Sequence, residues 1–105
     1  MKTTYSQANQ YTEATAQKFI LSEKPIYCTT SFVETQYEYV DNQRTETIRG
    51  YKLWFVQEGL NPFSVKFETQ PTLPPFLSIT QFENLQGIEI RNNVYFKADG
   101  FKVVK

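Results

Sequence analysis

Two long runs with strand texture flank the turn Asp41-Asn42-Gln43, Val33-Glu-Thr-Gln-Tyr-Glu-Tyr-Val40 before it and Thr45-Glu-Thr-Ile-Arg-Gly-Tyr-Lys-Leu-Trp-Phe-Val56 after it. Successive side chains of a strand point to opposite faces, so a half-buried sheet asks for apolar groups on one face only. Taken together, the runs carry aromatic residues on both faces, Tyr51 and Phe55 opposing Trp54 in the second. The second set, lying beside Lys and Arg, marks a candidate binding surface. A chain built this way must fold around long hairpins.

Length limits what surrounds them. At 105 residues there is room for one domain with one modest core and none for a second. Hydrophobic residues at 40% and aromatics at 16%, from nine Phe, seven Tyr and one Trp, exclude a disordered or collagen-like chain and suit a β-rich core.

Eleven basic residues balance eleven acidic ones, so no global positive field draws nucleic acid or anionic membrane, and any polyanion site must be local. The charge is uneven. Arg91, Lys97, Lys102 and Lys105 face only Asp99 near the end of the chain, whereas Glu34, Glu38 and Asp41 load the first long run. One end of the sheet is expected to be basic.

Cys28 is the single cysteine and histidine is absent, which excludes an intrachain disulfide and a Cys/His metal framework. A cytoplasmic setting is expected. The N-terminus shows no charged start followed by an apolar run, and no stretch approaches the ~20 apolar residues of a membrane span.

Residues 1–24 differ from the rest. Ser6 to Leu21 is rich in Gln, Ala and Thr, with Ala8, Tyr11, Thr15 and Lys18-Phe19 near helical spacing. The pattern predicts a short helix capped by Ser6 or Thr12 and ended by Pro25. The helix is expected to cover one end of a barrel through Phe19, Ile20 and Leu21, the other reading being a partner-binding arm.

Residues 25–105 read as a β domain. Strands are expected over Ile26–Val40, with a bend at Thr29-Thr30-Ser31, and over Arg44–Gln57, with a second bend at Gly50. Phe63-Ser-Val-Lys-Phe-Glu68 alternates regularly, Phe63, Val65 and Phe67 pointing inward. Gln70-Pro-Thr-Leu-Pro-Pro75 must be a loop, because its prolines lack the donor that a ladder needs. Further strands are predicted over Phe76–Phe82, Gly87–Ile90, Val94–Ala98 and Phe101–Val104, with a tight turn at Arg91-Asn92-Asn93. The predicted fold class is mostly β: a small five- to six-stranded Greek-key barrel, OB-like, with SH3-like or PUA-like barrels as alternatives, and a short N-terminal helix.

Enzymatic chemistry is poorly represented. Without His, the usual activation of a Ser or Cys nucleophile is missing, and Cys28 between Tyr27 and Thr29 reads as a buried inert thiol. The four glycines lie singly, so no phosphate-cradling loop exists. Glu34 and Glu38 would stand about 13 Å apart along a strand and read as solvated charges, as do Glu83 and Glu89. A non-catalytic binding protein with no cofactor and no metal is expected.

Leu53 and Phe55 look like core, and that turns Lys52 and Trp54 outward, although a bulge at Gly50 would exchange the faces. Val94, Phe96 and Ala98 likewise oppose Tyr95 and Lys97. An outward set of Tyr37, Tyr39, Lys52, Trp54, Lys66, Tyr95 and Lys97, with Arg44 and Arg49 on the hairpin, suits a single strand of nucleic acid, bases stacking on rings while cations neutralise phosphates. For Trp54 and Tyr51, packing in the core or under the helix is an equal alternative.

Gly50-Tyr-Lys-Leu53, Phe63-Ser-Val-Lys-Phe67, Leu73-Pro-Pro-Phe76 and Val94-Tyr-Phe-Lys-Ala-Asp99 resemble segments of small proteins of Gram-positive conjugative transposons and integrative elements. Some of those act as helicase-processivity or single-strand-binding accessories. The order of hairpin, alternating strand, proline loop and closing strands is also similar to that of filamentous-phage single-stranded DNA-binding proteins. The resemblance covers about Arg49 to Val104 and implies sequence-tolerant binding of single-stranded DNA, beside a helicase or relaxase of the same element. Two other readings stand: a PUA-like RNA-binding regulator, and a protein-interaction module that forms a homodimer or docks on an element-encoded protein.

Overall fold

The computed structural model describes residues 10–104. Along the chain come α1 (Glu13–Phe19), β1 (Ile26–Cys28), β2 (Glu34–Val40), β3 (Gln43–Gln57), β4 (Phe63–Phe67), β5 (Ile79–Glu83), β6 (Gln86–Ile90), β7 (Asn93–Lys97) and β8 (Gly100–Val103). The chain is therefore mostly β with one short helix among the described residues. All eight strands belong to one sheet of order β6-β7-β4-β3-β1-β5-β8, with β2 added to β3 beside that path.

The sheet is open, with β6 and β8 at its ends, so the expected closed ring of strands is not completed by the ladder. One continuous run of chain changes partner along its length. β7 pairs in parallel with β4, while β8 pairs antiparallel with β5. The switch falls between adjacent residues: the Ala98 amide donates to the Lys66 carbonyl at 3.0 Å and the Asp99 amide to the Glu83 carbonyl at 2.9 Å.

Eight strands are found where five or six are expected, because one long run divides and the short C-terminal pieces each stand as a separate strand. Ile26–Val40 breaks into β1 and β2 at the predicted bend. There the Thr30 hydroxyl takes over part of the ladder, accepting from the Trp54 amide and donating to the Trp54 carbonyl. The strand predicted from Phe76 begins only at Ile79; Phe76 and Leu77 form an exposed turn, Leu77 with a positive φ of 67°. The hairpin turn is the two-residue Asp41-Asn42, both with positive φ, which matches the twist of the flanking strands.

Leu53, Phe55, Val65, Phe67, Phe96 and Cys28 form the core with Ala16, Ile20 and Ala98. Alternation places them as read, and Phe63 packs against the cluster half-buried. The rings interlock edge-on, Phe55 against Phe82 at 4.8 Å and Phe67 against Phe101 at 5.6 Å between centroids. Cys28 is fully buried, as an inert thiol should be.

α1 is shorter than predicted. Thr12 caps it by accepting from the Thr15 amide at 3.1 Å, whereas Ser6 lies outside the described residues. Its end is Phe19, well before Pro25, because the chain is captured by Gln57. That buried amide accepts from the Leu21 amide at 3.0 Å and donates to the carbonyls of Leu21 at 2.6 Å and Lys24 at 2.9 Å. The helix lies on β6, where a Cβ on Gly87 would come within 3.1 Å of the Ala16 nitrogen. Thr12 and Gly87 also exchange backbone hydrogen bonds of 2.9 Å. Of the expected lid residues, Ile20 is buried and Phe19 packs against the core, but Leu21 is exposed.

Candidate nucleic-acid interface

Register assembles the outer face. Glu34 pairs with Lys52, Lys52 with Lys66, Lys66 with Lys97, and Lys97 with Gln86. Three lysine positions thus form a row across β3, β4 and β7 on one face, about 10 Å wide at the usual strand spacing. Among the described residues no carboxylate is within ion-pairing distance of Lys66 or Lys97.

Beside this row runs a second one. Trp54 pairs with Ser64, and the parallel register brings Tyr95 alongside Ser64. Trp54 is half-buried on the outer face and Tyr95 is exposed, while Tyr51 falls on the opposite parity, across from core Phe67. The core reading of Trp54 is therefore replaced by the surface one, and Tyr51 belongs to the core side.

Each group is held. The Trp54 indole N–H donates to Glu34 Oε2 at 2.9 Å, and Lys52 Nζ lies 3.9 Å from Glu34 Oε1 and 5.3 Å from the Trp54 ring centroid. Lys66 lies over Gly50, where a Cβ would stand 2.8 Å from Lys66 Cε and 3.0 Å from the Phe67 carbonyl oxygen. Only glycine leaves that path open. Lys97 Nζ stands 4.7 Å above the Tyr11 ring. Burial, and then the neighbouring Tyr95 phenol, push the Tyr11 phenol above its ordinary value.

The β2–β3 hairpin supplies the remaining predicted residues. Register shifts after Gln36 and after Tyr37 bend it, and its outer part is exposed at Tyr39, Val40 and Ile48. Arg44 stacks over the Tyr37 ring at 4.5 Å. Tyr37, Tyr39, Arg49 and Lys66 line one open depression with Glu34, Gln36 and Glu38. Of the nine predicted site residues, Lys52, Trp54, Lys66, Tyr95 and Lys97 come together in the two rows. Tyr37, Tyr39 and Arg49 flank them, and Arg44 is drawn to Tyr37 near the hairpin tip.

Three residues were missed. Glu34 read as a solvated charge, yet it holds Trp54 and Lys52. Tyr11 read only as a helix position, yet it covers Lys97. Phe32, 68% exposed, lines a depression of about 400 Å³ with Trp54, Glu34 and Pro62 where β1 breaks from β2. The available signal is a Phe directly after the predicted bend Thr29-Thr30-Ser31. Among the described residues no three Cys, Asp or Glu side chains converge to hold a metal ion, and no helix is long and apolar enough to cross a membrane.

The chain matches no family model, no curated protein and no solved structure.

Proposed function

We propose that the protein is a non-catalytic single-strand nucleic-acid-binding protein, with DNA favoured over RNA, that serves replication or transfer of a mobile element in the cytoplasm. The observation that carries the reading is the row Lys52–Lys66–Lys97 beside the row Trp54–Ser64–Tyr95. Phosphates lie along the ammonium groups while bases stack on the rings, a combination tolerant of sequence.

The strand pairing supports an OB-like architecture. With β1/β2, β5/β6 and β7/β8 each counted as one bent strand, the first pairs with β3 and β5, and β4 pairs with β3 and in parallel with β7. Counted so, β3 and β4 are the second and third strands, whose outer face binds oligonucleotides in partly open barrels of this kind.

Titration of the lone Trp54 with single-stranded oligonucleotides at two salt concentrations tests the proposal. Quenching is expected, with log affinity falling against log salt at a slope of about −2, three phosphates at about −0.7 each. No change in fluorescence or anisotropy at micromolar protein sinks it. Competition between DNA and RNA oligonucleotides separates DNA binding from a PUA-like RNA regulator.

The exposed Tyr39, Val40 and Ile48 on the hairpin favour a second reading, a protein interface. Association would then be weakly salt-dependent and survive Lys66→Ala.

A further inference from the structure

Stacking and phosphate contacts are blind to base identity. One group beside the stacking ring is not. The Glu34 carboxylate is fixed by the Trp54 indole N–H at 2.9 Å through Oε2, and its side chain remains 39% exposed. Oε1 is held only loosely, 3.9 Å from Lys52 Nζ. Trp54, Phe32, Pro62 and Glu34 line the same open depression, with two aromatic surfaces and one carboxylate edge.

An ionised carboxylate accepts hydrogen bonds and donates none. A base lying against Trp54 with its C4–C5 edge toward Glu34, clear of the N3–H that thymine could donate, gains a bond if that edge carries an amino group and meets repulsion if it carries only a carbonyl. Cytosine presents N4–H₂ where thymine presents O4. Because both are pyrimidines, comparing them holds ring size fixed.

From this arrangement, and resting on the nucleic-acid reading above, we propose that Glu34 is a specificity-determining residue. It makes the depression at the β1–β2 break a subsite for an amino-bearing base and biases the protein against thymine- or uracil-only tracts. Lys52 neutralises the carboxylate's charge toward the passing backbone, so the acceptor is tolerated inside a polyanion site.

The test uses the whole chain, oligo-dC and oligo-dT of about 12 nucleotides, and Trp54 fluorescence or oligonucleotide anisotropy, at near-neutral pH. The wild-type protein should bind oligo-dC roughly fivefold or more tightly than oligo-dT, the lower end of what a good base-edge contact discriminates. Glu34→Gln keeps an acceptor for the indole and adds a donor able to meet thymine O4, so the ratio should fall to within about twofold with the melting temperature little changed. Phe32→Ala should weaken both oligonucleotides and leave the ratio in place. Salt-dependent binding without preference, or a preference that persists in Glu34→Gln, overturns the role of Glu34 alone. Absence of binding to either oligonucleotide at low salt overturns the nucleic-acid reading together with it.

Discussion

Lys52 and Lys66 face each other directly across the β3–β4 ladder. Like charges in opposed positions cost stability, and among the described residues a carboxylate, that of Glu34, is within ion-pairing distance of Lys52 but none is of Lys66. Such a pair is costly to the free protein and useful to one that meets an anion. Lys66→Thr should therefore stabilise the fold by about 0.2–1 kcal/mol, since Thr also suits a strand. The same change should weaken oligonucleotide binding and reduce the salt slope by about 0.7. Urea denaturation and salt-dependent titration of one variant check both signs.

Gly50 is required by closeness to its neighbours. Gly50→Ala puts a methyl group 3.0 Å from the Phe67 carbonyl oxygen and against the Lys66 stem. Destabilisation of about 1–3 kcal/mol is expected from overpacking, together with weaker binding because Lys66 must leave its position. Denaturation midpoints measure the first effect and titration at matched folded fraction the second.

Gln57 ties the connector between α1 and β1 to the core through three hydrogen bonds. Gln57→Leu keeps the volume but abandons those backbone groups, so a loss of about 1–3 kcal/mol is expected. Amide exchange at Leu21 should accelerate, while affinity for oligonucleotides at temperatures where the variant is folded should stay unchanged.

The Tyr11 phenol is raised above its ordinary value by burial and then by Tyr95. A raised folded-state value means that the folded protein holds this proton more tightly than the unfolded chain. The associated stability is complete below the unfolded value, near 10, and is lost as pH rises through the folded one. Melting temperature should fall in that alkaline window more steeply in the wild type than in Tyr11→Phe.

Alternation made the faces legible. The period of two in Phe63–Phe67 and in Val94–Ala98 gave their inward residues, and Leu53 with Phe55 turned Lys52 and Trp54 outward. Periodicity fixes a face but not a neighbour. The parallel pairing that sets Lys66 beside Lys97 joins residues about thirty positions apart and has no local signature. Glu34 was misread for the same reason: its partner Trp54 is reached only after the chain leaves the ladder at Thr29–Val33. Phe76 and Leu77 looked like the start of a strand because they are apolar, yet Leu77 sits in a left-handed turn. Local sequence predicts the helix end at Pro25, whereas the segment after Phe19 is held by Gln57, more than thirty residues away.

The most direct measurement is titration of Trp54 fluorescence with a single-stranded DNA oligonucleotide at low and moderate salt, in the wild type and in Lys66→Thr. Quenching that weakens with salt at a slope of about −2, reduced by about 0.7 in the variant, is the predicted result. Unchanged fluorescence and anisotropy at micromolar protein, or equal salt slopes in the two proteins, contradict a nucleic-acid face built on Lys52, Lys66 and Lys97.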